Sequence, residues 1–195
     1  MILSNEGIKE AIKKGEIEID PPPTEDQYTT SALDLHVGDD FQCWDESTLR
    51  VKGHKHILNL AEHSFKLTAD AFLKPADLEK DGSFLFAPYS VHPYHVLAIT
   101  RETVRLMPNS KIAARVEGRS SLARLGLMVH LTAPTIHTLF PGKITLEMVN
   151  HGPFYLQIVP NKTRLCQLIF ERLESEPSVE IRTDFAGQTK PSGAK

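Results

Sequence analysis

The segment Lys143-Ile144-Thr145-Leu146-Glu147-Met148-Val149-Asn150 alternates with a period of two, the spacing at which successive side chains project to opposite faces of an extended chain. Ile144, Leu146 and Met148 then share one face, and Lys143, Thr145, Glu147 and Val149 share the other. The segment reads as a strand with an apolar underside and one carboxylate, Glu147, facing away from it. Pro141-Gly142 just before it reads as a tight turn that aims the strand's first residues. Comparable strand-like segments recur at Ser31-Ala32-Leu33-Asp34-Leu35-His36-Val37, Ser83-Phe84-Leu85-Phe86, His95-Val96-Leu97-Ala98-Ile99-Thr100, Lys111-Ile112-Ala113-Ala114-Arg115-Val116 and Arg164-Leu165-Cys166-Gln167-Leu168-Ile169-Phe170. Turn residues separate them, and many short strands with few helices predict a β sandwich or jelly roll. Near the start, Ser4 can cap a helix that carries Ile8, Ala11 and Ile12 on one face and ends near Gly15. Pro21-Pro22-Pro23 stops any continuation, and residues 69–82 read as a helical excursion or a long loop.

At 195 residues and 41% hydrophobic content, the chain can bury a core and suits one domain, with no internal repeat or linker. The 22 basic and 25 acidic residues give a net charge of −3. That balance argues against a general nucleic-acid binder and makes any anion site a local feature. Two cysteines form no disulfide framework, the first residues do not read as a secretory signal, and no apolar run reaches the length of a membrane helix. The expectation is a cytoplasmic protein with no membrane partner.

The second informative stretch is Gly118-Arg119-Ser120-Ser121-Leu122-Ala123-Arg124-Leu125-Gly126. Gly118 frees the backbone, Ser120 or Ser121 can cap a short helix, and Gly126 can end it in a left-handed conformation. Ser120 and Arg124 are four residues apart, so hydroxyl and guanidinium lie on one helical face. A planar guanidinium grips a phosphate through two parallel hydrogen bonds, so arginines flanking a helix start can cradle a polyphosphate. The alternative is a capped surface turn whose arginines face water. Glu147 has the same two readings, a solvated carboxylate or a proton shuttle.

A zinc-activated water needs ligands such as His-x-Glu with Cys-x-x-Cys, and the only cysteines, Cys43 and Cys166, cannot supply them. Nine histidines include His54 and His56, two apart, and His92-Pro93-Tyr94-His95. Their polar-loop and turn settings favour solvated or structural roles over metal ligation. His130, after Leu127-Met128-Val129, reads as a structural histidine.

Together the order Gly-Arg-Ser-Ser-Leu-Ala-Arg-Leu-Gly-Leu at 118–127, the Ile-x-Leu-Glu at 144–147 and the opening Met1-Ile2-Leu3-Ser4 with Ser31-Ala32-Leu33-Asp34-Leu35-His36-Val37-Gly38 resemble the dCTP deaminase branch of the dUTPase superfamily. The likeness runs from residue 1 to about 172 and is loose between 45 and 90. It implies a mainly β, distorted jelly roll over 1–182, with a short N-terminal helix and a short helix after the Gly-Arg-Ser-Ser turn. Residues 183–195 would then be a flexible tail able to act as a phosphate lid. It further implies a homotrimer in which a neighbouring subunit completes each active site, and metal-free deamination of dCTP to dUTP and ammonia. Magnesium would arrive on the triphosphate and zinc would play no part. By this resemblance Glu147 is the general acid and base, and Arg124, Ser120 and the backbone at Ala133 support the reacting centre. Arg119, Ser121 and Gln188 lie near the phosphates, and His137 lies near the sugar.

Three positions depart from the family pattern. His137 stands where the family has an aspartate that contacts the sugar or, in dUTP-hydrolysing relatives, helps position the attacking water; this weighs against diphosphate hydrolysis. Thr138-Leu139-Phe140 is unusual beside it, and Asp184 stands where a lysine is common. Two alternatives accompany the main reading: a dUTP diphosphatase or bifunctional enzyme, and a nucleotide-binding regulator without turnover.

Overall fold

A computed structural model describes residues 1–51, 55–108, 110–179 and 185–195. Two sites discussed above, His54 and Asp184, lie outside these residues, as does the boundary expected between 182 and 183. The helices are α1 (Asn5–Lys13), α2 (Glu46–Leu49), α3 (Phe65–Phe72) and α4 (Ser120–Ala123). The strands are β1 (Ile17–Asp20), β2 (Leu33–Trp44), β3 (Leu73–Pro75), β4 (Phe84–Phe86), β5 (Val96–Leu106), β6 (Ile112–Gly118), β7 (Leu127–Met128), β8 (Thr135–Ile136), β9 (Pro141–Asn150), β10 (Leu156–Ile158) and β11 (Arg164–Arg172). They form a mainly β, curled antiparallel jelly-roll arrangement. Among the described residues the larger sheet runs β7-β9-β5-β2-β11-β6-β8, with β1 added to β5 and β3 to β2, while β10 pairs with β4. No helix in these residues is long and apolar enough to cross a membrane.

The strand segments of the sequence all fall in strands, most of them longer than their local patterns. Length comes from pairing: β5 is held by β9 on one edge and on the other by β2 over residues 96–100 and by β1 over residues 103–106, so its backbone groups find partners as far as Leu106. β9 follows the alternation closely, with Ile144, Leu146 and Met148 buried beneath the sheet. Val149 is buried as well, although it points to the Glu147 side, because Met128 of β7 pairs beside it. A register shift between Ile99 and Thr103 is bridged by the buried Thr100, whose hydroxyl donates to the Glu102 carbonyl at 2.8 Å and accepts from the Ile144 amide at 2.9 Å.

Two local expectations need correction. Pro141-Gly142 is not a turn but the first two residues of β9, since Pro141 and Gly142 pair with Arg105 and Val104. Neither Ser120 nor Ser121 caps α4; Arg119 occupies the cap position without a side-chain bond, and both serines sit in the helix's first turn. Residues 69–82, read as a helical excursion or a long loop, divide between the two: α3 begins at Phe65, where Ser64 accepts from the Leu67 amide, and ends at Phe72, after which β3 joins β2 and an irregular segment follows. The N-terminal helix does form as read: Ser4 accepts from the Gly7 amide at 3.2 Å, Ile8 and Ala11 are buried, and Gly15 follows with φ +69°.

Leu146, fully buried in β9, provides the direct test of the core. Leu146→Ala should lower unfolding free energy by about 2–5 kcal/mol in urea titration, the range for a buried leucine that leaves a cavity.

Candidate active site

Glu147 sits at mid-strand in β9, directly opposite the buried Leu97 of β5. Its side chain is half-buried, and Oε2 accepts a hydrogen bond from the Leu131 amide at 3.3 Å. Around it lies a cavity of about 410 Å³, a size that accommodates a small ligand. Leu97, Val116, Ile136 and Ile144 give it apolar walls, while Glu147, Thr145, His130, His137 and Gln188 supply polar groups. This combination of an apolar slot with few polar groups suits a flat heterocycle that must be oriented.

The rim is shaped by the segment after β8. Leu139 adopts φ +68°, an uncommon left-handed conformation for a branched residue. The Phe140 amide bonds back to the His137 carbonyl at 3.2 Å. This turn leaves His137 exposed at the cavity while Phe140 is buried in its wall. His130 lies deeper, half-buried, with Nε2 4.0 Å from Glu117 and a buried Nδ1 that has no partner among the described residues.

The C-terminal residues form another wall. Gln188 is buried, and its Nε2 donates to the Lys143 carbonyl at 2.8 Å and to Thr145 Oγ1 at 3.2 Å. Backbone bonds from Gly187 to Pro141 and from Lys143 to Gln188 dock the segment along the start of β9. Gly142 permits this approach, because a Cβ there would lie 3.3 Å from the Gln188 backbone. Phe185 meets the ring of Phe65 edge-on at 5.7 Å, and Phe65 in turn contacts Trp44 at 6.4 Å.

Of the residues singled out from the sequence, Glu147, Ala133, His137 and Gln188 therefore line one cavity. Arg119, Ser120, Ser121 and Arg124 do not line it. They occupy the turn between β6 and β7, where Ser120, Ser121 and Arg124 are exposed. Gly126 closes that turn at φ +91° and packs so tightly that a Cβ would lie 2.2 Å from the Gly152 amide nitrogen. Arg119 is half-buried, its Nε 3.2 Å from Asp34 and its Nη1 donating to the Arg164 carbonyl at 3.3 Å. Leu125, Met128 and Leu131 nearby are exposed large apolar side chains.

Residues 2–173 match the dCTP deaminase-like family. The chain belongs to that family. Over its whole length it is 35% identical to the "dCTP deaminase, dUMP-forming" of Methanosphaera stadtmanae, covering 93% of that protein. It is also 37% identical, over 91% of its length, to the dCTP deaminase of Rhodospirillum rubrum, covering 86% of it. The crystal structure of 2'-deoxycytidine 5'-triphosphate deaminase from Agrobacterium tumefaciens superposes on 87% of the chain with a TM-score of 0.60 at 18% identity. The chain spans 46% of that structure's length, and the likeness is one of fold.

Sequence reasoning missed Phe65 as part of the cavity. Ser64 before it is a recognisable helix cap, but no local pattern links α3 to β9; only the path of β2 and β3 brings them together. Thr145, by contrast, was on the Glu147 side of the alternation and needed only Gln188 to give it a role. Among the described residues no three His, Cys, Asp or Glu side chains converge as a metal cage. His95 accepts from the Trp44 indole at 3.0 Å, and burial depresses its pKa. His92 packs edge-on against Tyr94.

Gln188→Ala removes two bonds worth roughly 0.5–1.5 kcal/mol each. Hydrogen exchange at the Gly187 and Lys143 amides should accelerate about tenfold while amides deep in β2 and β11 keep their protection.

Proposed function

We propose that this protein catalyses the hydrolytic deamination of dCTP, with Glu147 as proton shuttle. The observation that carries the reading is a half-buried carboxylate on a strand, set in a slot with apolar walls, in a chain of the dCTP deaminase-like family. Water adds to C4 of the cytosine as Glu147 accepts one of its protons, and the same carboxyl delivers a proton to N3. The C4–N bond then breaks, the second proton of the added water leaves with the amine through Glu147, and C4 becomes a carbonyl. Cytosine plus water thus becomes uracil plus ammonia, and the carboxylate is restored.

The developing charge at C4 calls for fixed donors and positive charge. In this reading Arg124 and Ser120 supply them together with the backbone at Ala133, while Arg119, Ser121 and Gln188 attend the phosphates. The arginine turn stands outside the cavity of its own chain and is flanked by exposed apolar residues. Both features support a homotrimer in which that turn completes a neighbour's site. Magnesium would travel with the triphosphate, neutralising its charge, because the described side chains offer no cage and triphosphate oxygens with water suit this ion. Both cysteines are free, in keeping with a cytoplasmic setting.

The favoured product is dUTP, since His137 gives the cavity rim an imidazole and no fixed carboxylate to orient a water at the phosphates. A second reading, continued hydrolysis to dUMP, is favoured by the "dUMP-forming" name of the Methanosphaera stadtmanae relative. Incubation with magnesium and dCTP, with ammonia, dUTP, dUMP and pyrophosphate resolved, separates them. dUTP with ammonia supports the main reading, while dUMP with pyrophosphate supports the second. Saturable binding without product would point to a nucleotide-binding regulator. Glu147→Gln should lower kcat by about 10²–10⁴ while changing the Kd for dCTP only a few-fold, because the amide keeps the shape and loses the proton transfer. Near-normal turnover in this variant would remove Glu147 from the mechanism.

A further inference from the structure

Asp34 lies in β2, two strands away from β6 and with β11 between them. In the register, Asp34 and Glu117 both face Gln167 of β11, and Arg119 follows two residues after Glu117. The Arg119 side chain reaches over β11, where its Nε comes to 3.2 Å from Asp34 Oδ2 and its terminal Nη1 donates to the Arg164 carbonyl. Asp34 is only 3% exposed, and its Oδ1 has no partner among the described residues. Arg119, Arg164 and His36 are the positive or titratable groups that face it, and burial outweighs them, raising the Asp34 pKa.

A carboxylate held this way is a poor source of stability. A buried charge is compensated only when its lone pairs are well satisfied, and here one oxygen is not. An apolar residue would suit the spot better if packing alone were at stake. The retained charge does something packing cannot: it fixes one guanidinium edge. With Nε 3.2 Å from Asp34 and Nη1 on a carbonyl, the plane of Arg119 is set, and Nη2 has no partner among the described residues. A guanidinium already oriented loses less freedom when it takes a phosphate.

We propose that Asp34 is a positioning residue that presents Arg119 to the triphosphate of the nucleotide. This rests on the reading of Arg119 as a phosphate ligand. The test is calorimetric titration of magnesium-dCTP and, separately, of inorganic tripolyphosphate into the wild type, Asp34→Asn, Arg119→Ala and the double variant. Ammonia release is followed independently. The expected result is that Asp34→Asn weakens both ligands about tenfold, and that in the Arg119→Ala background it adds less than twofold, since it acts through that side chain. KM for dCTP should rise with kcat changed less than threefold. If Asp34→Asn does not fold by circular dichroism, Asp34→Glu, which keeps the charge and displaces it by one carbon, must show the same weakening. Unchanged binding, or an equal effect of Asp34→Asn with and without Arg119, overturns the proposal. Absence of ammonia from the wild type would sink the deaminase reading while leaving this binding result to stand or fall by itself.

Discussion

The two-residue period of β9 is the constraint on which the site depends. Ile144, Leu146 and Met148 must go into the core, and with the strand paired along β5, Thr145 and Glu147 have no choice but to face the other side. A slip of one residue would bury Glu147 and expose the apolar set. The register is therefore enforced by the whole hydrophobic face, and the carboxylate inherits its position from residues that take no part in the chemistry.

Either end of that strand is fixed by polar groups serving the same purpose. At the start, Thr100 bridges the irregularity in β5 and binds the Ile144 amide, and Gln188 occupies the other side. At the far end, buried Asn150 donates to the carbonyls of Phe86 and Phe154 and accepts from the Gly152 amide. Gly126 and Gly152 pack backbone to backbone there, which ties the arginine turn to the end of β9. The turn and the carboxylate thus belong to one rigid frame although they face different surroundings.

A second polar layer lies behind the turn. Glu102, almost wholly buried, accepts from the His36 amide and Gln27 and lies 2.7 Å from His36 Nδ1. Arg164 contacts His36 Nε2 and pairs with Asp26, while its carbonyl receives Arg119. Such satisfied buried networks specify one arrangement of strands more than they stabilise it.

Much of this was legible in the chain itself. Alternation at 143–150 marked the strand and put Glu147 on its polar side, Ser4 and Gly15 marked the first helix, and Gly126 marked the left-handed end of the arginine turn, because each of these depends on neighbours a few residues apart. Other features depend on residues distant in sequence. Pro141-Gly142 became strand because β5 was there to pair with it, Ser120 lost the cap position to Arg119 because β6 continues to Gly118, and Phe65 and Phe185 meet only after β2 and β9 have folded. The sequence by itself determined the strand periods and the chemical groups available. Only the tertiary structure decided which of them share a cavity, that Glu147, His137 and Gln188 converge while the arginine turn faces outward, and that Arg119 is clamped by Asp34, because contacts across strands are set by sheet order and no local pattern encodes that order.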